Sequence, residues 1–333
     1  MIEINGEKGG GQMLRTALTL SAVTGKNFEI ENIRGSRKDP GLKNQHLQAV
    51  KAAKKVCNAK TEGVEFNSER IVFKPGNLRS KDLKIDIGTA GSANLVLDTL
   101  LPITSQFDEE FAVEVSGGTD VRWSPSSLYY KHVKLPLLKQ HDFKGSYTVE
   151  GTGFYPEGGG KIRLETRPYS LKELDLVQRG PLEELKLFKK SSEDLKDDGE
   201  AEEALESLGS ELGADISVSE SCEYVDPVST GEVTLLKASY SGSVAGFDVV
   251  DERGNRREQN CFRLKKQFNR FKGSHACVDG FMADQLIVFL AVVGGEVAVR
   301  ELTDHVKTNL SVVEEFGRKV KYEKERDRVM LKR

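Results

Sequence analysis

The sequence predicts an α+β protein: three repeated helix-covered β-sheet units about a pseudo-threefold axis, with a smaller inserted α/β domain. Three observations predict it. One order of elements recurs along the chain: strand, small-residue turn, helix, strand, helix, hairpin. Landmarks of the first two copies keep their spacing, with Gln12 and Ser92 80 residues apart and Gly35 and Gly118 83 apart. The third copy is interrupted by a segment of different composition. Such self-similarity marks a repeat architecture, in which each unit relies on its neighbours to cover its apolar face.

In the first copy, alternation over residues 2–4 predicts a strand, and Gly9-Gly10-Gly11 a turn. Apolar periodicity then predicts a helix over about 12–23. A strand over 28–33 ends at Arg34-Gly35; a helix over about 42–56 and a hairpin (60–66 and 70–74) close the unit. The second copy runs as strand 83–87, turn 88–91, helix 92–101 and strand 111–115 ending at Ser116-Gly117-Gly118. A helix over about 125–139 and a hairpin ending near Thr166 follow. The third copy has a first strand at 174–177, but its helix, 284–293, comes about a hundred residues later. A strand (296–300), a turn holding His305, a helix from about Asn309 and a hairpin (320–323 and 329–332) complete it. The expected division is a core of 1–179 and 275–333 and an inserted domain of 180–274. Within the insertion, residues 193–215 hold ten carboxylates against one basic residue, Lys196, the composition of a solvated face. Residues 233–238 and 247–250 read as strands.

Composition narrows the function classes. A net charge of −3 does not suggest a protein that coats nucleic acid, although Arg34, Arg37, Lys38 and Lys43 make a local basic cluster able to grip one strand end. No run of 18 apolar residues is present and residues 1–6 lack a signal-peptide pattern, so the expectation is no membrane contact and a cytoplasmic location. Cys57, Cys222, Cys261 and Cys277 form no Cys-x-x-Cys pair, which argues against a zinc or redox motif and for buried or indifferent thiols.

His305 is the first candidate for chemistry. It stands between a strand and a helix, where a scaffold aims side chains. Imidazole, with an ordinary pKa of about 6.5, can attack phosphorus and carry a covalent intermediate. The alternative is a turn histidine satisfied by backbone groups. His46, His132, His141 and His275 read as structural or exposed, and no histidine spacing invites a metal. Gly9-Gly10-Gly11-Gln12 opens a helix whose N–H groups attract phosphate, though tight turns need glycine anyway. Gly158-Gly159-Gly160 lies in a hairpin and reads as close packing. Arg15, Arg34 and Arg37 offer planar forks for phosphate, or are simply exposed charges; pseudo-symmetry would bring the last two near His305.

Taken together, the segments resemble the RNA 3′-terminal phosphate cyclase family over essentially the whole chain. The resemblance rests on seven stretches in order. They are residues 9–16, residues 34–42 with Gln45-His46, Gly88-Thr89-Ala90-Gly91-Ser92, residues 115–120, residues 153–160, Ala283-Asp284-Gln285-Leu286, and His305 with Thr308-Asn309. The resemblance implies that His305 attacks the α-phosphorus of ATP, and that AMP passes to an RNA 3′-phosphate and is displaced by the 2′-OH. The product is a 2′,3′-cyclic phosphate. It also implies that Phe281, Met282, Ala283, Asp284 and Gln285 line the ATP pocket with Pro125 and Asp98. Gln12, Arg15, Arg37 and Gln45 would meet phosphate or the RNA end, and a divalent metal, Mg or Mn, would assist. The chain departs from the family at three places. Lys8 precedes Gly9 where a metal-serving glutamate is usual, so either Glu7 takes over or the metal is bound differently; Phe281 stands for a common tyrosine; Asp98 stands for a glutamine that helps read the nucleotide. Two other readings are a non-catalytic ribosome-assembly branch of the same fold, which lacks the histidine, and an enolpyruvyl transferase, which needs six units.

Overall fold

The computed structural model describes residues 1–196, 199–212, 216–251 and 256–333. Short apolar-alternating segments pair into four four-stranded sheets, and amphipathic helices cover them in a mixed α+β architecture. The first sheet joins β1 (Ile2–Asn5), β2 (Phe28–Glu31), β3 (Lys60–Glu62) and β4 (Ile71–Lys74) in the order β1-β2-β4-β3. Its first pair is parallel and the others antiparallel. Helices α1 (Gly11–Thr24) and α2 (Asn44–Val56) lie between its strands in sequence.

The second sheet has β5 (Leu83–Asp86), β6 (Phe111–Gly117), β7 (Gly145–Gly151) and β8 (Gly160–Thr166) in the order β5-β6-β8-β7, again parallel only in its first pair. Along β6 every second residue is buried, as a strand with one covered face requires. Helix α3 (Ala93–Thr104) follows β5. After β6 comes a helix in three pieces: α4 (Ser127–Tyr129), a π-turn (Tyr130–Lys134) and α5 (Leu135–Lys139). Such π-turns often sit at functional sites.

Strand β9 (Leu174–Leu176) is followed by β10 (Leu182–Ser192), α6 (Glu200–Leu212), β11 (Val218–Val225), β12 (Glu232–Tyr240), β13 (Ser243–Asp251) and α7 (Arg257–Lys272). Strands β10 to β13 make a sheet of their own, ordered β11-β10-β12-β13. Then come α8 (Gly280–Val293), β14 (Gly295–Val299), α9 (Asp304–Glu315), β15 (Lys321–Lys324) and β16 (Val329–Lys332). The last sheet, β9-β14-β16-β15, pairs β9 in parallel with the distant β14, Leu174 opposite Gly295. One buried apolar cluster spans the other three sheets and their helices, and a second one, around Leu187, Leu236, Phe247 and Phe268, fills the space between the β10–β13 sheet and α6 and α7.

The acidic run forms helix α6, which buries Ala201, Leu205 and Leu208 and leaves Glu203, Glu206 and Glu211 exposed; residues 197–198 and 213–215 of that run lie outside the described residues. No helix among the described residues is long and apolar enough to cross a membrane. Helix α9 begins five residues ahead of the expected start near Asn309. Thr303 caps it, its hydroxyl accepting from the Val306 N–H at 3.0 Å, so His305 belongs to the first helical turn rather than to a preceding loop.

Candidate active site

Helices α1, α8 and α9 pack against one another, and polar side chains lock their facing ends. Asn309 on α9 donates to the Asp284 carbonyl of α8 at 3.1 Å and accepts from the Thr16 hydroxyl of α1 at 3.0 Å. Gln12 on α1 donates to the Thr308 hydroxyl at 3.2 Å. His305 stands at this junction, with Nδ1 3.4 Å from Asp284 Oδ2. The other Asp284 oxygen accepts from Thr303 Oγ1, the same atom that caps α9. A carboxylate held by Thr303 beside a ring nitrogen is the arrangement that sets an imidazole's tautomer and orientation. The ring is 51% exposed and borders a cavity of about 420 Å³. It is not sealed among apolar groups, and there is room for a ligand beside it.

Lys134, Arg15 and Asp98 line that cavity, together with Asp284 and Asp304 beside His305. Lys134, from the π-turn, is almost wholly buried; its ammonium donates to Asp98 and to Gln285 Oε1, the latter at 2.6 Å, and lies 4.9 Å over the Tyr130 ring. Burial lowers the Lys134 pKa and Asp98 opposes the fall. Burial lowers that of Arg15 as well, again against Asp98. Among the described residues no hydrogen bond or ion pair reaches the Arg15 guanidinium. A desolvated cation without a matched anion is costly, so an anionic ligand is the natural complement here.

One wall is apolar. Phe281 is half exposed and meets Tyr129 edge-on, with ring centroids 6.2 Å apart. Tyr129 in turn donates its hydroxyl to Asp279 at 2.9 Å. Asp279 caps α8, accepting from the Phe281 and Met282 N–H groups at 2.9 Å, and burial pushes its carboxyl up to about 6. Pro125 and Trp123 continue this wall to the rim. The arrangement is suited to a flat apolar ring against Phe281, negative charge over Arg15 and Lys134, and an electrophile in front of His305.

The sequence profile of RNA 3′-terminal phosphate cyclase matches residues 6–322. The chain belongs to that family. Among its relatives, the RNA 3′-terminal phosphate cyclase of Archaeoglobus fulgidus is 38% identical over 333 residues, covering 97% of this chain and 98% of its own. Those of Halobacterium salinarum and Pyrococcus furiosus are each 36% identical, over 324 and 329 residues, with 94% and 96% of this chain covered and 94% of each relative. The solved enolpyruvyl transferase NikO from Streptomyces tendae matches with a TM-score of 0.30 at 12% identity, over 99% of this chain and 65% of that one, too slight a likeness to bear on function.

Of the residues that family resemblance implicates, the cavity gathers Gln12, Arg15, Asp98, Pro125, Phe281, Asp284, Gln285 and His305. Met282 and Ala283 do not line it, because these α8 positions turn into the buried core. Arg37, Gln45 and Glu7 also lie outside it. A β-carbon placed on Gly10 would come within 3.2 Å of Arg37 Nη2 and 2.7 Å of Gln12 Oε1, so Arg37 sits behind Gln12 at the start of α1. Gln45 is engaged elsewhere, accepting from the Ser92 N–H at 2.7 Å. Arg34 does not reach His305: it donates to the Gly41 carbonyl at 2.8 Å from a left-handed backbone (φ 58°). Glu7 is exposed, and its carbonyl accepts from the Ser36 N–H. Sequence reasoning missed Lys134, whose neighbours give no motif, and Thr303, which the spacing of an N-cap ahead of α9 would have exposed.

His46 is structural. Its Nδ1 accepts from the Lys43 N–H at 3.1 Å, and its Nε2 lies 2.3 Å from where a Gly11 β-carbon would stand. Burial, followed by Arg15, Arg34 and Lys43, pushes its pKa down to about 3. The four cysteines are free, Cys57 and Cys277 buried.

Proposed function

We propose that this chain converts an RNA 3′-terminal phosphate to a 2′,3′-cyclic phosphodiester in three steps driven by ATP. His305 Nε2 attacks the α-phosphorus of ATP; the bond to the β-phosphate breaks and pyrophosphate leaves. An oxygen of the RNA 3′-phosphate attacks the histidine-bound AMP, the N–P bond breaks, and an RNA–AMP anhydride forms. The ribose 2′-OH loses its proton and attacks the 3′-phosphorus, and AMP departs. Only RNA supplies that hydroxyl.

The observation carrying this reading is the His305–Asp284 contact of 3.4 Å at the edge of a cavity lined by the unpaired Arg15. With Nδ1–H turned to the carboxylate, Nε2 holds the lone pair that attacks. Arg15 offsets charge gathered on the leaving pyrophosphate. Phe281 and Pro125 hold the adenine, with Asp98 and Gln285 at its edge, while Gln12, Arg37 and Gln45 lie toward the incoming RNA end. Among the described residues no group of three possible metal ligands is found. Glu7 is proposed as the carboxylate that would hold a Mg or Mn ion. The ion would neutralise phosphate charge.

The architecture behind the site is proposed as three repeats about a pseudo-threefold axis over 1–179 and 275–333, with an inserted domain over 180–274. Three sheets sharing one strand order and a separate second core support it. The cytoplasm, where ATP and RNA ends meet, is the compartment proposed.

Incubation with α-labelled ATP and magnesium tests the chemistry. The expected result is acid-labile label on the wild type, none on His305→Ala, and a cyclic end on a 3′-phosphorylated oligoribonucleotide. Absence of label on the wild type would sink the reading and favour the non-catalytic assembly role.

A further inference from the structure

Trp123 is the chain's single tryptophan, and it is 96% exposed at the rim of the His305 cavity. Its backbone is left-handed, with φ 62°, a conformation that bulky L-residues rarely adopt. The loop around it is pinned. Asn94, fully buried, donates to both the Thr119 and Pro125 carbonyls at 2.9 Å, drawing the two ends of the loop together. Ser124 donates to the Val121 carbonyl at 2.9 Å, and the Ser126 N–H to Asp248 at 3.0 Å. A loop held this firmly presents the indole outward by construction, and local strain of this kind gathers at ligand contacts.

Resting on the function proposed above, we infer that Trp123 is a stacking platform for a nucleobase near the 3′ end of the RNA. A cavity of about 420 Å³ lies toward the small end of ligand sites and accommodates one nucleotide, which His305 must receive as ATP. The RNA 3′-phosphate then approaches the same imidazole from the open side. Bases upstream of that phosphate stay outside the cavity and cross its rim, where the exposed indole stands. Stacking on an aromatic face tolerates any base, which suits an enzyme that acts on ends rather than on sequences.

The lone tryptophan is its own reporter. Titration with a 3′-phosphorylated oligoribonucleotide, with neither ATP nor metal present, is expected to quench the indole fluorescence saturably. An oligonucleotide abasic at its last three positions is expected not to quench it. Trp123→Ala is expected to raise the KM for RNA roughly 5- to 150-fold relative to any change in the KM for ATP, the range set by loss of one stacked base, and Trp123→Phe to recover most of it. Quenching by ATP but not by RNA, or an unchanged RNA KM in Trp123→Ala, overturns the inference. Label transfer from α-labelled ATP to the wild type reads the underlying function separately, since it needs no RNA.

Discussion

Lys134 and Lys189 are both buried lysines set against a carboxylate, yet their surroundings differ in charge balance. In the β10–β13 sheet, Lys189 meets Glu232 at 3.0 Å, Arg257 meets the same carboxylate at 3.2 Å, and Arg257 also pairs with Glu200. Two cations face two carboxylates, so the cluster is balanced even though Lys189 borders a cavity of about 670 Å³. At the His305 site, Lys134 takes the ion pair with Asp98, and among the described residues Arg15 has no ion pair of its own, on the wall of a cavity that Asp284 and Asp304 also line. The comparison teaches that burial of charge is not by itself a mark of function. A balanced buried cluster is complete within the fold, whereas an unbalanced one at a cavity wall is completed by what binds there.

The largest effects expected are those that break each cluster. Glu232→Ala strands the buried Lys189 and leaves Arg257 with Glu200 alone, and should lower unfolding free energy by about 3–5 kcal/mol in urea melts, while the folded fraction still accepts label from ATP at the wild-type rate. Lys134→Met strands Asp98 and should cost a similar amount, but should also slow labelling by about tenfold or more, as expected for one lost charge-assisted contact. Pairing it with Asp98→Leu should restore stability and leave labelling slow. Recovery of both together would mean that Lys134 only supports the fold.

A smaller effect concerns His46, which lies behind the site. Its folded pKa, about 3, is below the ordinary value of a free imidazole, so the unfolded chain binds the extra proton as pH falls. Its contribution to stability is therefore present above about pH 6.5 and is lost progressively toward pH 3. Between pH 7 and pH 5 the loss is about 2 kcal/mol. Asp279 and Asp248, raised by burial to about 6, work in the opposite sense, because protonating them at acid pH relieves a buried charge. The net acid profile is thus muted, and the difference between wild type and His46→Asn isolates the histidine. Stability curves that stay parallel from pH 7 to pH 5 would contradict this assignment. The smallest effect is that of Thr303→Ala, about 1 kcal/mol for loss of the α9 cap. Because Thr303 also steadies Asp284, its labelling rate should fall more than its stability does; the reverse would make the threonine only a cap.

Much of the fold was legible because its signals are local. Period-two strands, helical periodicity and glycine turns placed most elements within a few residues, and the recurrence of one order anticipated the shared strand order of three sheets. Boundaries slipped where capping decides them. Helix α9 started at Asp304 because the Thr303 hydroxyl reaches the Val306 N–H, and that moved His305 onto a helix. Met282 and Ala283 were misplaced because adjacent residues of one helix face different ways, and motif adjacency carries no direction.

The sequence by itself determined the element types, the family and the identity of the one histidine worth testing, because each depends on residues near one another in the chain. Only the tertiary structure decided which groups surround that histidine. Asp98, Lys134, Phe281 and His305 come from four separate segments, and their meeting depends on how helices pack across one core. Lys134 shows the reason most plainly. Nothing in its neighbours distinguishes it from a surface lysine, and its burial between Asp98 and Gln285 arises only when α3, the π-turn and α8 close around it.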